Sequence, residues 1–187
     1  MTTSDPARDG RGDFNFLLGT WRVANRRLQR PLDPGDDSWE EFSADAVVRP
    51  VLNGLGNTDT IRSASGPGGQ PFEGLTLRLF DPSDGRWRIW WTSTRQLGRL
   101  DPPMTGSFTA GHGVFFGDDE VAGTRIPVRF DWHALDADTA RWAQAFSLDE
   151  GRIWITNWIM NFTRTTDRGP ATPPPGPGPG ESAIPLR

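Results

Sequence analysis

With 187 residues the chain is long enough for one domain with a sizeable core, and its 35% apolar content is thin in aliphatics but includes nine Trp and eleven Phe. It contains neither Cys nor Tyr, its 20 basic residues are all Arg, and it has two His, so disulfides, thiolate chemistry, Schiff bases, a P-loop lysine and a three-histidine metal site are excluded. A formal charge of −4 without basic runs argues against nucleic acid as a partner.

Residues 1–12 are polar and mixed in charge, with no apolar stretch of the kind a secretory leader needs, and read as a flexible terminus. Asp13 to Leu18 has a capping residue and an apolar face and predicts one short helical turn. Short β-like runs follow, approximately Gly19–Gln29, Trp39–Val48, Asn57–Ser65, Gly74–Phe80, Arg86–Thr94, Met104–Ala110, Val114–Asp118, Ile126–Ala134, Ala140–Leu148 and Ile153–Thr163. Turn residues separate them: Pro31 to Asp37, Asp81-Pro82-Ser83-Asp84-Gly85, Leu135 to Thr139 and Asp149-Glu150-Gly151. Between Gly169 and Gly180, ten of twelve residues are Pro or Gly, so residues 166–187 read as a disordered tail behind a domain over 13–165.

Ten consecutive short runs joined by tight turns predict an all-β fold, an up-and-down antiparallel barrel. Val128, Phe130, Trp132 and Ala134 share one face of their run, and Arg129, Asp131 and His133 the other. Two runs are apolar on both faces: Trp90 opposes Trp87, Ile89 and Trp91, while Ile153, Ile155 and Ile159 oppose Trp154, Trp158, Met160 and Phe162. Their outer faces need a cover, either the N-terminal turn or a second subunit, and a homodimer is expected. No apolar run approaches the ~18 residues of a membrane-spanning helix, so a soluble cytoplasmic protein without a membrane partner is expected.

Leu18-Gly19-Thr20-Trp21, after a helical turn and at the start of the first strand, resembles the Gly-x-Trp opening of lipocalins and other calycin barrels. That resemblance implies a structural role for two residues. Trp21 would plug the closed end of the barrel, and Arg164, at the end of the last run, would lie over its ring. Phe14 to Trp21, Leu77 to Pro82, Leu100 to Pro103, Val128 to Trp132, Gln144 to Ser147 and Asn157 to Met160 are together similar to an uncharacterised bacterial lipocalin-like family. The resemblance spans residues 14–164 and implies a fold rather than an activity. Nitrobindins, a neighbouring calycin group, share the Gly-Thr-Trp start and bind haem through a His. Neither His112 nor His133 falls in the last strands, where that ligand belongs, so no cofactor is expected and haem is the one alternative.

Most carboxylates lie in turns and serve them. Asn57 and Asp59 alternate onto one face with Ile61 and are candidate pocket residues. Arg78 shares a face with Thr76 and Phe80, while Leu75, Leu77 and Leu79 occupy the reverse. If the Arg78 face points inward, the guanidinium needs an anion, either Asp59 or a carboxylate or phosphate on a ligand. Gln144 between Trp142 and Phe146, and Asn157 among isoleucines, are amides on apolar faces that need partners. Trp91 and Trp158 are candidate flat walls. Asp131 and His133 lie ~6.5–7 Å apart along one strand, too far for easy contact, and His112 falls in a Gly-flanked turn. Arg11-Gly12-Asp13, the sequon Asn161-Phe162-Thr163 and Gly54-Leu55-Gly56 lack the context that would make them functional.

Two functions follow. One is a barrel that holds a small apolar, aromatic or anionic molecule, oriented by Asn57, Arg78, Gln144 and Asn157. The other is a cofactor-free isomerase, cyclase or hydrolase, with Asp59 as acid or base and Arg78 stabilising negative charge. A solid barrel serving only as an assembly domain is the third reading.

Overall fold

The computed structural model describes residues 9–165 apart from Leu97 and Ala122; the expected tail over 166–187 and the first eight residues lie outside that range. Ten strands form the fold: β1 (Gly19–Leu28), β2 (Trp39–Val51), β3 (Gly56–Ser63), β4 (Phe72–Asp81), β5 (Arg86–Ser93), β6 (Met104–Thr109), β7 (His112–Val121), β8 (Thr124–Ala134), β9 (Thr139–Phe146) and β10 (Ile155–Arg164). Each pairs antiparallel with its sequence neighbour, and β1 pairs with β10 to close the barrel. Closure leaves no unpaired edge.

Local chemistry fixes the hairpins. In the turn after β4, the Asp81 carboxylate accepts hydrogen bonds from the Ser83 backbone and hydroxyl at 2.9 and 2.6 Å, and Asp84 accepts from the Arg86 backbone at 3.0 Å. Strand β7 begins two residues before the predicted run, at His112. Gly113 is needed there: a Cβ would sit 2.6 Å from the ring of Phe108, its direct partner on β6.

The N-terminal segment departs from its expected place. It forms two 3-10 turns, Gly10–Gly12 and Asn15–Leu17, and enters the barrel instead of covering an outer face. Phe14 and Leu17 are fully buried, and the Phe14 ring meets Trp87 edge-on at 5.0 Å and Phe108 at 4.8 Å. The Trp87 indole donates to the Gly10 carbonyl at 3.0 Å. Trp21 donates to the Leu17 carbonyl at 2.7 Å, and the Arg164 guanidinium lies 4.2 Å over the Trp21 ring. Arg164 also donates to the carbonyls of Leu18, Phe16 and Ala137 at 2.7, 2.9 and 3.0 Å, so one side chain fastens the plug to the last strand.

On the outside, the segment between β9 and β10 folds back. Asp149 accepts from Ser147, Arg152 and Ile153, and Trp154 packs on Phe116 at 5.8 Å under the Arg129 guanidinium. Ile153 therefore belongs to this segment, and β10 starts at Ile155.

Candidate functional site

Above the N-terminal plug the barrel is not filled. A cavity of about 100 Å³ remains, bounded by residues from β2 to β10 and by the connection between β5 and β6.

Its floor is built on a cross-strand polar network. Asn57 faces Arg78, and Asp59 faces Thr76, across the β3–β4 ladder. Arg78 donates to Asp59 at 2.5 Å and to Asn57 at 3.0 Å, and the Thr76 hydroxyl donates to the other Asp59 oxygen at 2.9 Å. The two charged side chains are 4% and 8% exposed, so this is a buried ion pair. The choice left open by the sequence is thereby made: β4 turns its polar face inward and its leucines outward, and Asp59 is the anion that meets Arg78. The guanidinium lies 5.3 Å from the Phe14 ring and 5.2 Å from the Trp132 ring. Two donors on this floor, Arg78 Nε and Trp132 Nε1, are buried with no hydrogen-bond partner among the described residues.

Aromatic rings form the walls. Trp158 and Phe130 both pack edge-on against Trp142, at 5.7 and 4.9 Å. Asn25 on β1 accepts from the Trp158 indole at 3.1 Å, a positioning contact the sequence does not suggest. Trp91 packs on the bare backbone of Gly74, where a Cβ would be 2.0 Å from its ring. Met104, Met160, Phe162, Ile61, Ile89 and Val128 complete the apolar lining.

Of the sequence candidates, Asp59, Arg78, Trp91, Gln144 and Trp158 line the cavity, whereas Asn57 and Asn157 stand behind it. Asn157 accepts a 2.9 Å hydrogen bond from Gln144, and its own amide nitrogen has no partner among the described residues. The β9–β10 register shifts between Thr156 and Trp158, a bulge that leaves Asn157 as the extra residue. That shift explains how adjacent Asn157 and Trp158 are both turned inward.

Sequence reasoning missed the mouth. Asp101, Asp118 and Asp119, with Pro102, bound the open end. The Asp101 backbone donates to the Trp91 carbonyl at 2.8 Å, which fixes the β5–β6 connection against that ring. Asp118 pairs with Arg125 at 2.6 Å. Burial raises the Asp119 carboxyl above the ordinary Asp value, the negative charges of Asp101 and Glu120 add to this, and the Glu120 N–H and Arg99 oppose it. Among the described residues Arg78 is the one basic side chain of the lining, and Asp59 neutralises it. An anionic ligand thus finds no unpaired cation among the described lining residues.

The histidines lie on the outer face. His112 opens β7 instead of occupying a turn, and it stacks on His133 at 4.2 Å with rings 9° from parallel. Asp131 bonds His112 at 3.1 Å and Arg129 at 2.8 Å, so its imidazole partner is across the ladder and not two residues along the strand. Burial, then the proximity of His112, lowers the His133 pKa. Neither imidazole lines the cavity, so the residues present offer no nitrogen ligand to a haem iron inside it.

No known family description and no curated protein matches the sequence. Solved structures do resemble it. Rv2717c from M. tuberculosis aligns with a TM-score of 0.57 at 13% identity, over 87% of this chain and 99% of its own. The S-type phycobiliprotein lyase CPES from Guillardia theta aligns with a TM-score of 0.53 at 10% identity, over 83% of this chain and 92% of its own. At these identities the likeness concerns the fold alone.

Proposed function

We propose that this barrel is a binding module for a small molecule with a flat apolar body. The observation that carries this reading is the cavity itself: a space walled by Trp91, Phe130, Trp142 and Trp158, left open above a barrel end that is otherwise packed solid. A volume of about 100 Å³ is far above the ~10–15 Å³ needed for one water. Gln144, anchored by Asn157, offers a polar contact on an apolar wall. The enzymatic alternative loses its main support, because both oxygens of Asp59 are engaged by Thr76 and Arg78.

The same reading has the protein acting as a cytoplasmic homodimer, with exposed Leu75 on β4 and Phe116 on β7 as the apolar outer surface a second copy would cover. Among the described residues, no helix is long and apolar enough to cross a membrane. Native mass spectrometry of freshly purified protein tests both statements. A small molecule carried by the native protein and lost on denaturation supports binding, and the native mass gives the subunit count. A protein that arrives bare and takes up no small aromatic probe refutes the binding reading.

A further inference from the structure

The cavity is charged unevenly along its length. Its floor is neutral, since Arg78 and Asp59 cancel. Its mouth holds three carboxylates, of which Asp118 is matched by Arg125. Asp101 accepts a hydrogen bond from the Gln96 amide, and Asp119 from the Glu120 backbone, and neither is in an ion pair among the described residues. Arg99 is near enough to Asp119 to act on it electrostatically, and Glu120 offsets that charge. Asp101 and Asp119 therefore stand half-buried at the same mouth as Trp91, near enough for the Asp101 charge to act on Asp119, and neither has an ion-pair partner among the described residues. Carboxylates next to an indole face are the arrangement that favours an organic cation. At the opposite end the floor is closed: Arg78 Nε and Trp132 Nε1 are buried and have no hydrogen-bond partner among the described residues.

We propose that the cavity takes a small aromatic amine: an apolar ring among the Trp walls and a protonated nitrogen at Asp101 and Asp119. This deepens the binding reading above and rests on it. The amine supplies the charge the mouth lacks. The aromatic body replaces water against Trp91 and Trp158. A carboxylate or phosphate ligand would instead meet Asp101 and Asp119 with like charge and find Arg78 already taken.

The test compares three probes of matched size on the full chain by isothermal titration: phenethylamine, phenylacetate and propylbenzene. Phenethylamine is expected to bind about tenfold or more tightly than either of the others, the scale of a partly desolvated cation beside carboxylates and aromatic faces. Asp119→Asn and Asp101→Asn are each expected to reduce that preference severalfold while leaving propylbenzene binding unchanged. Because both are near-isosteric changes at the mouth, a propylbenzene affinity equal to that of the unaltered protein also shows that the variants are folded. Equal binding of all three probes, or a preference for phenylacetate, overturns the amine assignment and leaves the binding module standing. Failure of all three to bind removes the binding reading, and the amine assignment with it.

Discussion

Replacing Arg78 by Met is the sharpest perturbation of this barrel. The pair it breaks is almost wholly out of water, with side chains 4% and 8% exposed and a 2.5 Å contact between guanidinium and carboxylate. Asp59 would keep the Thr76 hydroxyl but lose its counter-charge, which typically costs about 3–5 kcal/mol. Asn57 would lose the donor to its side-chain oxygen, adding about 1 kcal/mol. Met fills much of the vacated volume and removes the orphaned Nε, returning about 1 kcal/mol. A net loss of about 4 kcal/mol follows, a large share of the ~5–15 kcal/mol by which such domains are stable. Adding Asp59→Asn removes the stranded charge, and the new amide can donate to Asn57 in place of Arg78. The double variant is therefore expected to recover all but about 1–2 kcal/mol, which makes it about 2–3 kcal/mol more stable than Arg78→Met alone. Urea unfolding followed by Trp fluorescence measures both, as midpoint shifts at constant slope. If Arg78→Met alone costs under about 1 kcal/mol, or the two losses simply add, Asp59 is not held in the core by Arg78 and the account of the floor is wrong.

Other outcomes follow from neighbouring features. Arg164→Ala should lower stability by about 2–3 kcal/mol, since it removes a cation–π contact and three bonds to backbone carbonyls; Arg164→Lys, which lacks the planar fork, should recover less than half, and a thermal melt of both variants checks this. Gly74→Ala must displace the Trp91 ring, so probe affinity should fall and the Trp emission should shift, at a stability cost of about 1–3 kcal/mol; unchanged binding would show that Trp91 is not a wall of the occupied site. In the connection between β1 and β2, hydrogen bonding from Ser38, then from the backbone and guanidinium of Arg30, holds the Asp36 carboxyl well below the ordinary range. A depressed folded-state pKa stabilises above the ordinary carboxylate value, and the contribution is lost as the pH falls towards the folded value. Asp36→Asn should therefore flatten the acid limb of the stability–pH profile, and an acid limb identical to that of the unaltered protein would argue against this loop as an acid-sensitive element.

The strands were legible because two local signals agreed along the chain: period-two alternation, as in Val128 to Ala134, and turn chemistry, as in Asp81 to Gly85. Facing was legible only where one side is polar. On β4 the sequence offers leucines on one face and Arg78 on the other, and the polar face is the buried one because β3 brings Asp59 and Asn57 into register with it. That decision is made between strands, and no single strand contains it. Asn157 shows the same limit, since a bulge changes facing without changing composition. The mouth was missed for a related reason. Asp118 and Asp119 look like turn residues in sequence, and Asp101 lies in a Pro-rich connection; closure of the barrel places them round one opening. Gly113 lies just before the expected run, which starts at Val114, and in the barrel it makes room for Phe108.

The clasp between Arg164 and the carbonyls of Phe16 and Leu18 joins residues 148 and 146 positions apart. During synthesis at roughly 5–20 residues per second, the first strand would wait roughly seven to thirty seconds for the residue that fastens its plug. Until then Phe14, Leu17 and Trp21 have no barrel to enter, and the outer edge of β1 has no second neighbour. A chain cut or stalled anywhere before β10 exposes both, which makes incomplete translation products good clients for chaperones and proteases. Completion of the last strand is the event that takes this sticky opening segment out of reach.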